Sequence, residues 1–223
     1  MDVRARLIPT HVPARPDAVV LVLHGGASRP GSPMVSPTQL SVVRMVPVAR
    51  RVARAGRRRL AVYRLLNSSR GWDASHTPVD DVAWALGQLR EKHGDLPVGL
   101  VGHSLGGRAA LLSAGRPEIA SVVALAPWLY PDDGVPTGDR PVLVVHGDHD
   151  RIAPIAHARA VVARLARSGR VALVVVRGGT QAMLRRAGEF DGTAARFLAA
   201  TLLGRPASGT AGRVLAGEDA LQV

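Results

Sequence analysis

The sequence predicts an α/β fold: a mostly parallel, doubly wound sheet with helices on both faces. Three observations carry this. Short apolar runs alternate regularly with longer amphipathic stretches. The runs are apolar at every position, as in strands buried on both faces of a parallel sheet covered by helices. One of them, Val98-Gly-Leu-Val101, enters Gly102-His-Ser-Leu-Gly-Gly107 and then a good helix former, Arg108-Ala-Ala-Leu-Leu-Ser-Ala114. Right-handed crossovers gather the strand C-termini along one edge of such a sheet. The 223 residues suit one domain with a substantial core, expected to span residues 1–203, with 204–223 as a flexible tail.

Each element follows from the pattern in order. The first 17 residues hold at most one or two antiparallel edge strands. Ala18-Val-Val-Leu-Val-Leu23 is a buried strand, followed by a Gly/Ser/Pro loop through Pro37. A helix is expected over 39–55 and a strand over 60–66. A helix over 80–93 places Val82, Leu86 and Leu89 on one face and stops at Gly94. After the Gly102–Gly107 turn its helix ends near Gly115-Arg-Pro117. Strands at 121–126 and 141–146 precede a helix at 154–167, a strand at 171–176 and a mostly helical stretch over 183–203. The remaining Gly-Arg-Pro-Ala-Ser-Gly-Thr-Ala-Gly is small and polar and is expected to fray. There are no internal repeats and no domain linker.

Composition excludes several classes. Hydrophobic content is 47% and charged content 21%, ordinary for a globular chain. No apolar run reaches the roughly 18 residues that span a bilayer, and the N-terminus lacks the apolar stretch of a signal peptide; a cytoplasmic protein with no membrane partner is expected. The absence of cysteine excludes disulfides, thiolate catalysis and cysteine metal sites. The net charge of +12 raises the question of nucleic acid. All the basic residues except Lys92 are Arg, a skew that fits a GC-rich genome alongside abundant Ala, Gly, Val and Pro. The densest cluster, Arg50, Arg51, Arg54, Arg57, Arg58 and Arg59, closes a predicted helix, where cations are favoured. Without aromatic interleaving or a recognisable motif it reads as solvated surface, so no specific nucleic-acid partner is expected.

The Gly102–Gly107 run carries the chemistry. Strand, G-x-S-x-G and helix in succession make a nucleophile elbow, a turn that strains the serine backbone and lifts its hydroxyl clear of the sheet edge. Gly102 and Gly106 let strand and helix approach closely enough. A serine at such a boundary is ordinarily a helix cap, but the flanking glycines and the motifs downstream make Ser104 a nucleophile candidate.

With two more motifs, His24-Gly-Gly-Ala27 after the first buried strand and His146-Gly-Asp-His-Asp150 before a helix, residues 18–203 resemble an α/β-hydrolase in motif order and spacing. The compact dienelactone-hydrolase and carboxylesterase members are the most similar. The resemblance implies an oxyanion hole from the N–H groups of Gly26, with Ala27 the next candidate, and of Leu105; losing one such donor typically costs about 100- to 1000-fold in rate. It maps the acid of the triad onto Asp150, with Asp132 a distant alternative and Asp148 a loop residue. His103 would point away from the pocket and pack.

The pattern then breaks. Relatives carry roughly Gly-x-x-His after the last strand, whereas this chain reads Gly178-Gly-Thr-Gln181, 31 residues beyond Asp150. No histidine follows His157, which should project from its helix away from Ser104. Glutamine can hydrogen-bond both Ser104 and Asp150 but cannot take a proton at neutral pH, so Ser104 would lack its general base. Three explanations are open: a His→Gln replacement made to trap substrate, a natural loss leaving a binding or regulatory protein, or another histidine as base, His76 or His149.

The stretch from Pro127 to Arg140 is too short for the helical lid of many relatives, so an open, lidless site is expected. Trp72, Trp128 and Tyr130 follow strand ends and either line an acyl or alcohol pocket or pack against the core. The expected partner is a small ester, lactone or thioester. No cofactor is expected, and His146, Asp148, His149 and Asp150 are not read as a metal site, because residues around a strand end project in different directions.

Overall fold

The computed structural model describes residues 5–26, 35–69, 76–184 and 186–223. Its centre is an eight-stranded sheet in the order β1-β3-β2-β4-β5-β6-β7-β8. The strands are β1 (Arg6–His11), β2 (Ala18–Leu23), β3 (Leu60–Leu66), β4 (Val98–His103), β5 (Ile119–Leu125), β6 (Val142–Gly147), β7 (Val171–Val176) and β8 (Ala220–Gln222). Among the described residues only β1 runs antiparallel, paired with β3 at one edge; every other pairing is parallel.

Alternate residues of each strand feed two cores. Val19, Leu21 and Leu23 of β2 belong to the core on the side of α3 (Thr77–His93), α4 (Leu105–Leu112) and α5 (Ile155–Leu165), while Ala18, Val20 and Val22 belong to the core on the side of α2 (Met45–Gly56), α6 (Thr193–Leu203) and α7 (Gly209–Leu215). Both faces are therefore dry, which is why the strands carry no polar alternation. The helix expected over 39–55 is divided into α1 (Leu40–Val43) and α2 at Arg44. The helix expected from 80 begins three residues earlier, with Pro78 in its first turn.

Two stretches differ from expectation. The helix expected from residue 183 begins in a π-helical turn, Gly188–Gly192, before α6, and Met183 itself has φ 56°. The wider turn lets consecutive Phe190 and Asp191 both face inward, Phe190 into the core and Asp191 against Arg44. The residues past Leu203, expected to form a flexible tail, carry α7 and β8. Thr210, Ala211, Val214 and Leu221 are buried, and β8 pairs with β7, covering what would otherwise be an open sheet edge.

No lid rises between β5 and β6. The connection is tied down by basic side chains instead. Arg108 of α4 donates two hydrogen bonds to the Asp133 carboxylate (2.7 and 2.9 Å), and the same carboxylate accepts the Tyr130 N–H. Arg164 donates to the Pro131 and Asp133 carbonyls, and His157 Nδ1 to Leu129 O at 2.7 Å. His157 thus faces the connection, not Ser104.

Candidate active site

The site forms where β2, β4, β5 and β6 end. At the end of β4 the chain reverses into α4 through Ser104, with φ 56° and ψ −121°, a region sparsely populated by residues other than glycine. Such strain, about 1–3 kcal/mol, persists only where the surroundings over-determine it. Here they do. A Cβ on Gly102 would lie 2.1 Å from Gly106 O, and one on Gly106 would lie 2.5 Å from His24 O and 2.6 Å from Leu23 O. The helix therefore starts directly on the ends of β4 and β2. Its first intrahelical bond runs from Arg108 N–H to Ser104 O (3.1 Å), which leaves the N–H groups of Leu105, Gly106 and Gly107 ahead of it.

The His24-Gly25-Gly26 turn meets this helix start. Gly25 packs so closely that a Cβ there would sit 3.2 Å from Ser104 Cβ. His24 holds the turn: Nδ1–H donates to Gly25 O (2.5 Å) and Nε2 accepts the Asn67 N–H (3.2 Å), which fixes a neutral tautomer. Burial lowers the His24 pKa further, opposed by its bond to Gly25. This clamp role has no local signal, because Asn67 is supplied by the far end of β3.

Gln181 is buried close by, but its amide does not reach Ser104 or Asp150 as the sequence suggested. Nε2–H donates to Ala126 O at 3.1 Å, and Oε1 has no hydrogen-bond partner. The reason is competition: the Ala126 carbonyl at the end of β5 offers an acceptor to a buried NH2 group that must be satisfied. The Gln181 carbonyl is held by His103, whose Nε2–H donates to it at 2.8 Å. His103 is packed and buried, as expected, and in addition anchors the turn that carries Gln181.

Asp150 uses one oxygen locally. Oδ1 accepts the N–H groups of Ile152 and Ala153, both at 2.9 Å, whereas Oδ2 is buried without a partner. His146 lies in the field of Asp150, and its Nε2 is also buried, with the Pro127 carbonyl near it but no well-formed hydrogen bond among the described residues. Burial lowers the His146 pKa, opposed by the Gly147 carbonyl, by the Asp150 charge and by the Pro127 carbonyl. Asp148 accepts the Gly178 N–H at 2.7 Å, tying the β6 and β7 loops together as a loop residue would. Four buried polar atoms around these strand ends, in His103, His146, Asp150 and Gln181, thus lack well-formed hydrogen bonds among the described residues. Such a concentration calls for a local explanation.

Burial also sets a pH response. The His103 pKa falls from 6.5 to about 4, chiefly through desolvation, partly offset by the bond to Gln181 O and deepened by the Arg44 charge. Below the unfolded value of 6.5 the unfolded imidazole takes up a proton that the folded one refuses until about pH 4, so stability falls as pH drops through that window. His24 and His146, also lowered, act in the same direction. Urea unfolding at neutral pH and near pH 4 should show a smaller acid loss in His103→Gln than in the parent; an unchanged loss would mean that His103 is not its source.

A family model described as the alpha/beta hydrolase fold matches residues 19–139, more than half of the chain. The chain belongs to the α/β-hydrolase family. Solved structures agree on the fold. An α/β serine hydrolase homologue from Coxiella burnetii is 18% identical with a TM-score of 0.65, covering 87% of this chain and 90% of that one. A serine hydrolase without a lid from Xanthomonas campestris is 19% identical with a TM-score of 0.62, covering 92% and 90%. Est1E from Butyrivibrio proteoclasticus is 15% identical with a TM-score of 0.62, covering 89% and 94%. In sequence, a bis(hydroxyethyl) terephthalate hydrolase from Streptomyces coelicolor is 42% identical over 60 residues, which is 26% of this chain and 19% of that protein. The matched stretch is thus about a fifth of that relative's length.

The remaining candidates of this α/β hydrolase are dispersed. Trp128 donates its N–H to Ser104 O at 3.1 Å, which puts its backbone beside the elbow. Its ring meets Tyr130 edge-on at 5.0 Å, and Tyr130 is covered on one face by Arg108 at 4.8 Å. Trp128 packs against the core, whereas Tyr130 is exposed. His76, at the start of α3, and His149 are exposed, as is Asp132. Gly26 is the last described residue of its turn; Ala27 and Trp72 lie outside the described residues. Among the described residues no three metal-ligating side chains gather at one point, and no helix is long and apolar enough to cross a membrane.

Proposed function

We propose that this α/β hydrolase is built to cleave a carboxylic ester, lactone or thioester through an acyl-enzyme on Ser104, and that Gln181 leaves it without a general base. The observation that carries this reading is the backbone of Ser104, strained at φ 56° and ψ −121° between Gly25 and the N–H groups that open α4. A serine that serves only as a cap needs no such strain. The Ser104 hydroxyl attacks the acyl carbon, the N–H groups of Leu105 and Gly26 hold the developing oxyanion, and Asp150 is the acid that would orient an imidazole at position 181. The unpartnered Asp150 Oδ2 is an acceptor available for that imidazole's N–H. Gln181 offers no site for the serine proton, and water attacking the acyl-enzyme would be equally unassisted.

The short, tethered β5–β6 connection supports small substrates that need no lid movement. The names of the relatives point the same way, with a hydrolase of a terephthalate ester and an esterase fold whose structure was solved with ferulic acid. The second reading is a non-catalytic ligand-binding protein, favoured by the Gln181 amide being satisfied by Ala126 O rather than aimed at the serine. A panel of p-nitrophenyl esters from acetate to palmitate, with bis(hydroxyethyl) terephthalate, assayed on Gln181→His, separates the two. Turnover confined to short and aromatic esters is expected. Absence of turnover across the panel, with panel members raising the melting temperature, would establish the binding protein.

A further inference from the structure

Five arginines from three separated stretches line one cavity away from the elbow. Arg51 and Arg54 stand on α2, Arg57 is its C-cap, Arg196 stands on α6 and Arg205 follows it. The cavity measures about 370 Å³, and its other lining residues are small and uncharged, so no carboxylate faces the five cations from its walls. Several other arginines have acidic partners: Arg44 with Asp191, Arg59 with Asp17, Arg108 with Asp133 and Arg213 with Glu218. The five in the cavity form no ion pair among the described residues. Within the basic run read as solvated surface, Arg54, Arg57 and Arg59 are exposed as that reading expects, whereas Arg51 is half-buried beside Arg196, and Arg54 and Arg57 form the rim of the cavity that residues 196 and 205 complete.

Gly192 allows the closest approach. A Cβ there would stand 3.3 Å from Arg51 Nη1 and 3.4 Å from both terminal nitrogens of Arg196, so two like charges share one small space. Arg196 Nε is buried and has no hydrogen-bond partner among the described residues, and Arg205 uses one nitrogen on Ala55 O (3.0 Å). The neighbouring carboxylate, Asp191, is hydrogen-bonded by Arg44 at both oxygens (3.2 and 3.5 Å), and its charge also reaches Arg51 without an ion-pair contact. Arg51, Arg196 and Arg205 are half-buried, and cations held together in partial burial repel unless an anion joins them.

We propose that this cavity binds a small anion carrying two or more linked phosphoryl groups. Planar guanidinium forks match phosphate oxygens in paired hydrogen bonds. A single phosphate brings at most about two negative charges, too few for five arginines spread around the walls, whereas a di- or triphosphate chain presents more charge along a length that reaches several of them. Inorganic polyphosphate and the phosphate tail of a nucleotide share this chemistry.

The test is calorimetric titration of the full chain with tripolyphosphate, and separately with ATP, at constant ionic strength near about 0.15 M, where a general attraction from net charge is largely screened. Saturable one-site binding is expected. The pair Arg51→Gln/Arg196→Gln should weaken it about tenfold or more, and Gly192→Ala should weaken it without any change of charge. Arg159→Gln, an exposed change on α5, should leave it intact, with circular dichroism confirming that each variant is folded. Binding of both ligands assigns the polyphosphate chain as the determinant, and binding of ATP alone assigns a nucleotide; either supports the site. Absence of saturable binding to both ligands, or equal weakening by Arg159→Gln, would overturn it.

Discussion

Gln181→His should raise the hydrolysis of a short activated ester by about 10²–10⁴-fold, the usual contribution of a positioned general base. The expectation rests on what already surrounds the position. Ser104 is held in the strained elbow conformation, Asp150 has a buried oxygen without a donor, and the turn bearing residue 181 is anchored by His103 through the backbone carbonyl. That anchor does not depend on the side chain at 181, so it should survive the substitution. An imidazole can leave Ala126 O, take the Ser104 proton on one nitrogen and donate to Asp150 with the other. Adding Ser104→Ala should abolish the gain. If the parent chain already turned over at the rate of the histidine variant, another base would be serving, and His76 and His149 would be the residues to replace.

Gly102→Ala should cost at least about 4 kcal/mol of stability, in the exceptional range for one methyl group. The added carbon would stand 2.1 Å from Gly106 O, 2.3 Å from Gly106 C and 2.7 Å from Gly107 N, all backbone atoms that cannot turn aside as a side chain would. Relief would require α4 to lift from the end of β4, undoing the contacts of Gly106 with His24 and Leu23. Urea unfolding of the variant, or its failure to accumulate as soluble protein, gives the reading. By contrast Gly87→Ala, on the exposed side of α3 with open space for the new carbon, should be neutral or slightly stabilising. Comparable midpoints for the two variants would contradict the close packing described at the elbow.

The parts of this fold that were legible in the sequence are those whose signal is local. Strands such as β2 and β7 are apolar at six successive positions because both faces are buried, and Ser104 is marked by glycines that its own turn requires. The C-terminal elements were not legible for the opposite reason. β8 is three residues long with one buried side chain, Leu221, and is held by pairing with β7. A polar, glycine-rich stretch gives no periodicity from which such docking can be read. The position of Gln181 was legible from its spacing to Asp150, but the direction of its amide depended on the Ala126 carbonyl, 55 residues earlier. The convergence of Arg51 with Arg196 was hidden in the same way, since the contact of α2 with α6 creates it.

The most direct test of the central claim, an elbow serine competent for acyl transfer but lacking its base, is mass spectrometry of Gln181→His after exposure to a fluorophosphonate. One adduct per chain, mapped to Ser104 and absent from Gln181→His/Ser104→Ala, is the predicted result, with slower labelling of the parent. A folded histidine variant that takes no label, or carries it on a residue other than Ser104, would contradict the account.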